Sequence, residues 1–257
     1  VIALERKNNI KELLFEHKSV KVADLVKQFN VSEETIRRDL QQFEQEGLVK
    51  KIYGGAILTD ERKSNDNILP IHQRKNQFFE EKSLIGKAAA QLVKPGQTIL
   101  IDAGSTTWHV TNNLLNVDNL MTITNALNIA EECSKNETNS IYLLGGKVRR
   151  NSISTVGPQS ENELKKYNAN YVFLGTTGIS LRHGFTSSDL YEAEIKRAMV
   201  EAGQTCVVVA DHSKLQKVGL TSFCNFGDID IFITSDQADE SILHEIEKSG
   251  VEVIVVS

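Results

Sequence analysis

The chain has 257 residues, 40% of them apolar and 25% charged, with a formal net charge of −5. That is an ordinary composition for a water-soluble protein, and the length allows a domain of about 60 residues beside one of about 180. No apolar run approaches the roughly 20 residues of a membrane span, and the charged, amphipathic N-terminal stretch lacks the apolar core of a secretion signal, so a cytoplasmic protein with no membrane partner is expected.

The negative total argues against a nucleic-acid binder until it is divided. Residues 1–55 hold ten Lys/Arg and nine Asp/Glu, a net of +1, and the remainder carries −6. Any DNA binding by the first segment must use placed charges rather than a broad field. Ile10, Leu13 and Leu14 follow helical spacing in a first helix over 6–16. Residues 19–21 read as a short extended link. Leu25, Val26 and Phe29 line a second helix, and Asn30-Val31 is a tight turn. Ser32 caps a third helix, with Glu33 and Glu34 in the first turn, where the dipole favours negative charge. Ile36, Leu40 and Phe43 face a core. Thr35, Arg38, Gln41 and Gln42 lie on the opposite face, with Arg37 on its flank. Gly47 stops the helix. Residues 48–53 and 56–58 flank Gly54-Gly55, a hairpin signal that carries Lys50 and Lys51.

Two helices, a turn and a third helix rich in Arg and Gln make a helix-turn-helix, and the hairpin makes it winged. Arg and Gln can pair bidentately with guanine and adenine edges, and Lys50 and Lys51 suit backbone phosphates. The competing reading is a solvated helix face on a module that binds protein. The pattern Arg6, Ile10, Leu14, then Ser32-x-x-Thr35-Ile36-Arg37-Arg38-Asp39-Leu40, resembles the signature of the DeoR family of bacterial transcriptional regulators. The expected DNA-binding residues are Ser32, Thr35, Arg37, Arg38, Gln41, Gln42, Lys50 and Lys51, and the resemblance implies that Thr35, Arg37 and Arg38 touch DNA. It leaves Asp39 open to a structural pairing with a nearby Arg or Lys.

Residues 60–70 are polar and end in proline, which marks the boundary of the first domain. The expected division is a winged helix-turn-helix over 1–58, a linker over 59–75 and a second domain over 76–257. A helix over 80–93 has an Ala-rich face and is expected to pack on a sheet, since it lacks the heptads of a coiled coil. Apolar runs at 98–101, 120–124, 141–144, 171–174, 206–209, 229–233 and 251–256 read as buried strands. The helical stretches between them predict βαβ units and a mostly parallel sheet. Ligands bind such sheets beyond the carboxyl ends of the strands, and the polar motifs sit there.

The first of these is Asp102-Ala103-Gly104-Ser105-Thr106-Thr107. Gly104 lets backbone approach a ligand, and the hydroxyls and amides at a helix start suit an anion, although Ser and Thr also cap helices with no ligand present. Thr124-Asn125 follows, then Gly145-Gly146 with Arg149 and Arg150, then Gly175-Thr176-Thr177-Gly178. Further on are Gly184-Phe185-Thr186, Glu194-Ile195-Lys196 and Ala210-Asp211-His212-Ser213-Lys214. Each is weak alone. Together they would place carboxylate, amide and cationic groups around one crevice, a chemistry that suits a phosphorylated sugar or polyol. The same pieces look like the DeoR-type sensor domain, whose fold is similar to ribose-5-phosphate isomerase. That resemblance implies an effector site at Asp102, Gly104, Ser105, Thr106, Thr107, Asn125, Gly146, Arg149, Gly175, Glu194, Lys196 and Lys214. Trp108 and His109 are open between shaping selectivity and plain helix packing, and Lys217 between sharing the role of Lys214 and being solvated.

Glu194 with Lys214 could in principle serve an aldose–ketose isomerase. By the resemblance, however, the GTTGI run at 175–179 replaces an acidic loop of the related isomerases, which points to binding without turnover. Cys133, Cys206 and Cys224 have no metal spacing and are expected as buried free thiols. The six His form no ligand set, so no metal or cofactor is expected. The expected protein is therefore an α/β repressor that binds double-stranded operator DNA as a homodimer or homotetramer and is released by a phosphorylated sugar or polyol. The alternative is a sugar-phosphate isomerase or deaminase with an appended DNA-binding domain.

Overall fold

The computed structural model describes residues 6–7, 9–10, 13–14, 19–45, 49–58 and 69–257. The chain divides into two compact units, Val1–Ile68 and Leu69–Ser257. In the first unit the described residues from Arg6 to Leu14 are helical. They are followed by β1 (Ser19–Lys21), α1 (Val22–Phe29), α2 (Glu33–Gln45), β2 (Val49–Ile52) and β3 (Gly55–Leu58). The expected helix end at Glu16 and the stop at Gly47 fall outside the described residues. Asn30 takes the left-handed conformation that closes α1, one of the few that Asn adopts readily. Ile10, Leu14, Leu25, Phe29, Ile36, Leu40 and Phe43 form one buried cluster, as the 3.6-residue period requires.

The three strands of this unit run in the order β1-β3-β2, all antiparallel. Ile52 pairs with Gly55, so the turn is Tyr53-Gly54 rather than the expected Gly54-Gly55. Gly54 supplies the positive φ of +78°. Gly55 is glycine for a different reason: a Cβ there would lie 2.2 Å from the Val20 carbonyl oxygen of β1.

The second unit begins earlier than the sequence suggests. Residues 69–75, assigned to the linker, belong to it, and Ile71–Asn76 forms a helix, α3, with Ile71 buried. Then come α4 (Phe79–Gln91), β4 (Thr98–Ile101), α5 (Ser105–Asn113), β5 (Met121–Thr124), α6 (Leu127–Cys133), β6 (Ser140–Leu143), β7 (Lys147–Arg149) and β8 (Ser154–Val156). The chain continues through α7 (Pro158–Leu164), β9 (Ala169–Leu174), β10 (Gly178–Ser180), β11 (Gly184–Ser187), α8 (Leu190–Glu201) and β12 (Gly203–Val209). It ends with β13 (Thr221–Cys224), β14 (Ile231–Ser235), α9 (Glu240–Lys248) and β15 (Glu252–Val256).

All seven expected strands pair in one parallel sheet, in the order β15-β14-β12-β9-β4-β5-β6. The apolar runs face both ways. Ile99, Ile101, Phe173, Val207 and Val209 enter one core with α4, α5 and α6. Leu100, Val172, Leu174 and Val208 enter the other with α8 and α9. The edge strands depart from the expectation of burial: Tyr142 and Leu143 of β6 and Val255 of β15 are nearly half exposed, because an edge strand has a neighbour on one side only. From β4 the chain winds outward through β5 and β6 with its helices on one face. From β9 it winds the other way through β12 with α8 on the opposite face. Right-handed crossovers impose that switch of face when the direction reverses. The reversal point, between β4 and β9, is where such sheets open a ligand crevice.

Candidate functional site

In the first unit, Ser32 caps α2. Its hydroxyl accepts from Thr35 N at 3.2 Å and lies 2.8 Å from Thr35 Oγ1, so both hydroxyls serve the cap in this state. Arg37 is held by Glu33 at 2.5 Å, whereas Arg38 lies 3.8 Å from Glu34 with both side chains more than 80% exposed. Such exposed pairs exchange readily for a phosphate or a base edge. Gln41 and Lys50 are exposed. Gln42 accepts from Lys7 Nζ at 2.6 Å, and Lys51 lies 3.8 Å from Glu44, which also accepts from the Lys51 backbone N–H. Asp39 is turned inward. Its Oδ2 accepts from Arg6 Nε at 2.7 Å, and both side chains are buried. The RRD run therefore splits: two guanidiniums face solvent, and the carboxylate locks the first helix to α2.

In the second unit, register builds the site. Ile101 pairs with Thr124 and Phe173. The next residues, Asp102, Asn125 and the pair Leu174-Gly175, therefore stand in a row across the strand ends. Leu144-Gly145 extends the row beyond Asn125, since Leu144 N donates to Thr124 O. Asp211 and Ser235 extend it on the other side, at the ends of β12 and β14. Asp102 is at the centre. It is buried, ion-paired to Lys196 of α8, and accepts from Gly175 N at 3.2 Å. Lys196 also donates to Gly175 O at 2.8 Å. Burial outweighs the Lys196 ammonium and holds the Asp102 carboxyl above the usual carboxylate range.

Ser105, Thr106 and Thr107 begin α5 and are buried. They do not act alike. Thr107 Oγ1 donates to Asp102 O at 2.6 Å and faces Gly104 O, so it holds the turn together. Among the described residues, the Ser105 and Thr106 hydroxyls take no protein partner and stay available. Gly104 is required by packing: a Cβ would lie 2.8 Å from Thr107 Oγ1. Lys214 sits on a short 3-10 turn after β12 and is half-buried. Burial lowers its ammonium, with Asp211 opposing that and Arg74 adding to it.

Three groups were not anticipated. Arg74 of α3, in the stretch taken for linker, is half-buried. Burial lowers its guanidinium, while Glu192 and Asp102 draw it back up, so it belongs to the same cluster. Lys82 of α4 is buried 3.7 Å from Asp211 and donates to Arg74 O at 2.8 Å. Burial brings it down to about 8. Glu192, rather than Glu194, faces the site: Arg149 lies 2.8 Å from Glu192 and 3.0 Å from Asp189. Glu192 and Lys196 are four residues apart and share a helix face. Glu194 lies off that face and pairs with Arg197, which donates to Ser222 O. Helical charge spacing could have separated Glu192 from Glu194 once Lys196 was placed.

Gly146 lines a hollow of about 310 Å³ with Lys147, Gln159 and Tyr191, apart from the Asp102 row. Its φ of +149° and the approach of Val156 O, 2.8 Å from a built Cβ, explain the glycine. His109 is buried, its Nε2 donates to Lys75 O at 3.2 Å, and its ring meets Phe79 edge-on, which is plain helix packing. Trp108 carries Lys75 Nζ 3.9 Å above its ring. Lys217 is exposed. Cys133, Cys206 and Cys224 are buried and free, as expected. Among the described residues no cluster of His, Cys, Asp and Glu could hold a metal, and no helix is long and apolar enough to cross a membrane.

Both units have known counterparts. Residues 6–62 match the DeoR-like helix-turn-helix domain, and residues 77–236 match the DeoR C terminal sensor domain. The transcriptional regulator GolR of Listeria innocua is 32% identical over 249 residues, 97% of each chain. IolR of Bacillus subtilis is 31% identical over 92% of this chain and 93% of its own. The putative aga operon transcriptional repressor of Escherichia coli O157:H7 is 32% identical over 98% and 93%. Among solved structures, ribose 5-phosphate isomerase A of Methanocaldococcus jannaschii aligns with a TM-score of 0.39 and 18% identity. It covers 52% of this chain and 53% of that one, too little for any assignment. An exposed helix with two outward guanidiniums, a parallel sheet that reverses between β4 and β9, and relatives matched over almost their whole length lead to one conclusion: the chain belongs to the DeoR family of DNA-binding transcriptional regulators.

Proposed function

We propose that the chain represses a sugar or polyol catabolic operon and is released when a phosphorylated sugar occupies the second unit. The observation that carries this reading is the Asp102 row. Ser105 and Thr106 offer unspent hydroxyls at the start of α5, and Arg74 and Lys214 supply cations beside them. A phosphate ester matches that set through charge-assisted hydrogen bonds. Relatives named as repressors support the direction of control. Arg38, Arg37 and Gln41 would read base edges, and Lys50 would meet phosphates, in a dimer or tetramer on repeated half-sites.

Binding without turnover is favoured by the same geometry. Glu194, the base an isomerase would need, is paired with Arg197 off the crevice face. Thr176 donates to Gly178 O and Thr186 O, so the GTTGI turn is spent on its own backbone. Release requires the effector to prefer the state with low operator affinity, since equal binding to both states shifts nothing. The test is a thermal scan of the full chain with phosphorylated and unphosphorylated sugars. An ester at a hundred times its Kd adds about 2.7 kcal/mol and should dissociate the operator complex at similar concentrations, unchanged after incubation. Stabilisation by no ester, or conversion of the ester, would overturn the reading.

A further inference from the structure

Several buried polar atoms of the second unit have no hydrogen-bond partner; Asp211 Oδ2 and Thr234 Oγ1 lie by β12 and β14, and the rest flank one hairpin. Asn125 Oδ1, both amide atoms of Asn128, and Ser188 Oγ are sealed from solvent and unpaired. Asn125 ends β5. Its Nδ2 donates to Thr155 O at 2.9 Å, which fixes the amide and leaves Oδ1 over. Asn128 is the second residue of α6, and that first turn lies against the hairpin of β7 and β8. Leu127 N donates to Ile153 O at 3.0 Å, and Ala126 bridges Ser154. Arg149, the register partner of Ser154, reaches the other way to Asp189 and Glu192, beside Ser188.

The chemistry of these atoms limits what can satisfy them. Leaving a buried donor or acceptor unpaired costs about 1–3 kcal/mol. The set holds two carbonyl oxygens, which need donors, and one amide N–H₂, which needs an acceptor. A phosphate dianion only accepts and cannot satisfy either oxygen. A hydroxyl does both. Arg149, on the same hairpin, is already shared by two carboxylates and offers an anion little free charge. Asn125 stands next to Asp102 in the strand-end row, Lys214 follows Asp211 on the other side of Asp102, and Arg74 interacts with Glu192, Asp102 and Arg149.

We propose that Asn125 and Asn128 form the hydroxyl-reading end of the effector crevice, and that Asn128 selects among sugars by pairing with two adjacent hydroxyls. This rests on the sugar-phosphate reading above and gives the ligand an orientation: phosphate toward Lys214, hydroxyls toward α6. Ser188 adds a third contact at the same end.

The experiment uses the full chain and thermal scans with ribose 5-phosphate, glucose 6-phosphate, glycerol 3-phosphate, the 2-deoxy forms of the two sugars, and inorganic phosphate. Asn128→Leu replaces the amide by an apolar group of similar size. The expected result is that the ester that stabilises the wild type beyond inorganic phosphate loses that excess, with Kd raised tenfold or more. The response to inorganic phosphate should persist, and the ligand-free Tm should rise. Asn128→Asp, which keeps the shape and removes the donor, should weaken the same ester if the Leu variant misfolds. An undiminished response in both variants overturns the subsite and leaves the sugar-phosphate reading standing. If no ester moves the wild type beyond inorganic phosphate, the sugar-phosphate reading falls and takes the subsite with it.

Discussion

Asp39→Ala should unfold the first unit while sparing the second. Asp39 lies within the recognition helix, yet its carboxylate is spent on Arg6 at 2.7 Å, with side-chain exposures of 9% and 5%. Removing one partner strands the other as a buried, unpaired charge, at a cost of about 3–5 kcal/mol. A unit of this size has a total stability of only about 3–9 kcal/mol, from roughly 0.05–0.15 kcal/mol per residue. Each kcal/mol shifts Tm by about 4–8 °C in so small a domain, so the loss is at least about 12 °C. Calorimetry of the full chain should show the transition of the first unit lowered or absent and that of the second unmoved. Arg6→Met with Asp39→Leu removes both charges and should recover most of the stability, together with operator binding. A Tm within about 3 °C of wild type for Asp39→Ala would refute the argument, as would a double variant no better than the single one. A folded double variant that binds no operator would instead make Asp39 a DNA contact.

Arg38→Ala should leave Tm nearly unchanged, because its pairing with Glu34 is exposed and long. It should weaken specific operator binding by about 1–3 kcal/mol, the worth of one bidentate base contact, as read by anisotropy on an operator selected with the wild type. Equal affinities would remove Arg38 from the interface. Lys82, brought down to about 8 by burial, predicts a pH dependence. Below pH 8 both folded and unfolded chains carry its proton, so the penalty is constant. Between 8 and the ordinary 10.5 the unfolded chain holds the proton and the folded chain does not, so stability rises with pH. Wild type should therefore gain up to about 3 kcal/mol on Lys82→Met across that window, at 1.36 kcal/mol per pKa unit, and a constant difference between the two would contradict it. Burial pushes the Cys133 and Cys206 thiols up to about 11, and Cys224 higher still. Iodoacetamide at pH 8 should modify the unfolded chain and leave the native one intact, as mass spectrometry would show.

What could be read in advance follows from where burial leaves a period. The seven sheet strands are apolar on both faces and stand out from their surroundings. The inward residues of α1 and α2 recur every three or four positions. The small strands β8, β10, β11 and β13 carry Gly, Ser and Thr, β7 is only Lys-Val-Arg, and all pair only because loops bring them together, so no local pattern announces them. Arg74 was lost in a stretch whose polarity and proline suggest a linker. Its neighbour Ile71 is one buried residue, too little to signal a helix. Sequence alone gives α8 its period but not its rotation, so Glu194 stands in the expected set although Glu192 is the residue that shares a face with Lys196. The rotation is set by the Lys196–Asp102 pair, whose members are 94 residues apart. Lys51 and Gln42 belonged to the exposed face as expected, but their neighbours Glu44 and Lys7 were not weighed as competitors for them.

The shortness of α3 carries a consequence for how the chain moves. A six-residue helix has no stability of its own in water, and this one lacks a side-chain cap at its start. It is held by contacts from elsewhere: Ile71 N–H to Asn151 O, Lys82 to Arg74 O, and His109 at Lys75 O. Two of those clamps come from α4 and α5, which wall the crevice. Local unfolding of α3 is thus a separate equilibrium from that of the sheet it docks on. If the proposed effector binds beside those helices, α3 should seal as the effector arrives and fray as it leaves. Amide exchange over residues 71–77 would follow that equilibrium directly, with no rigid rotation of the sheet required to carry the message.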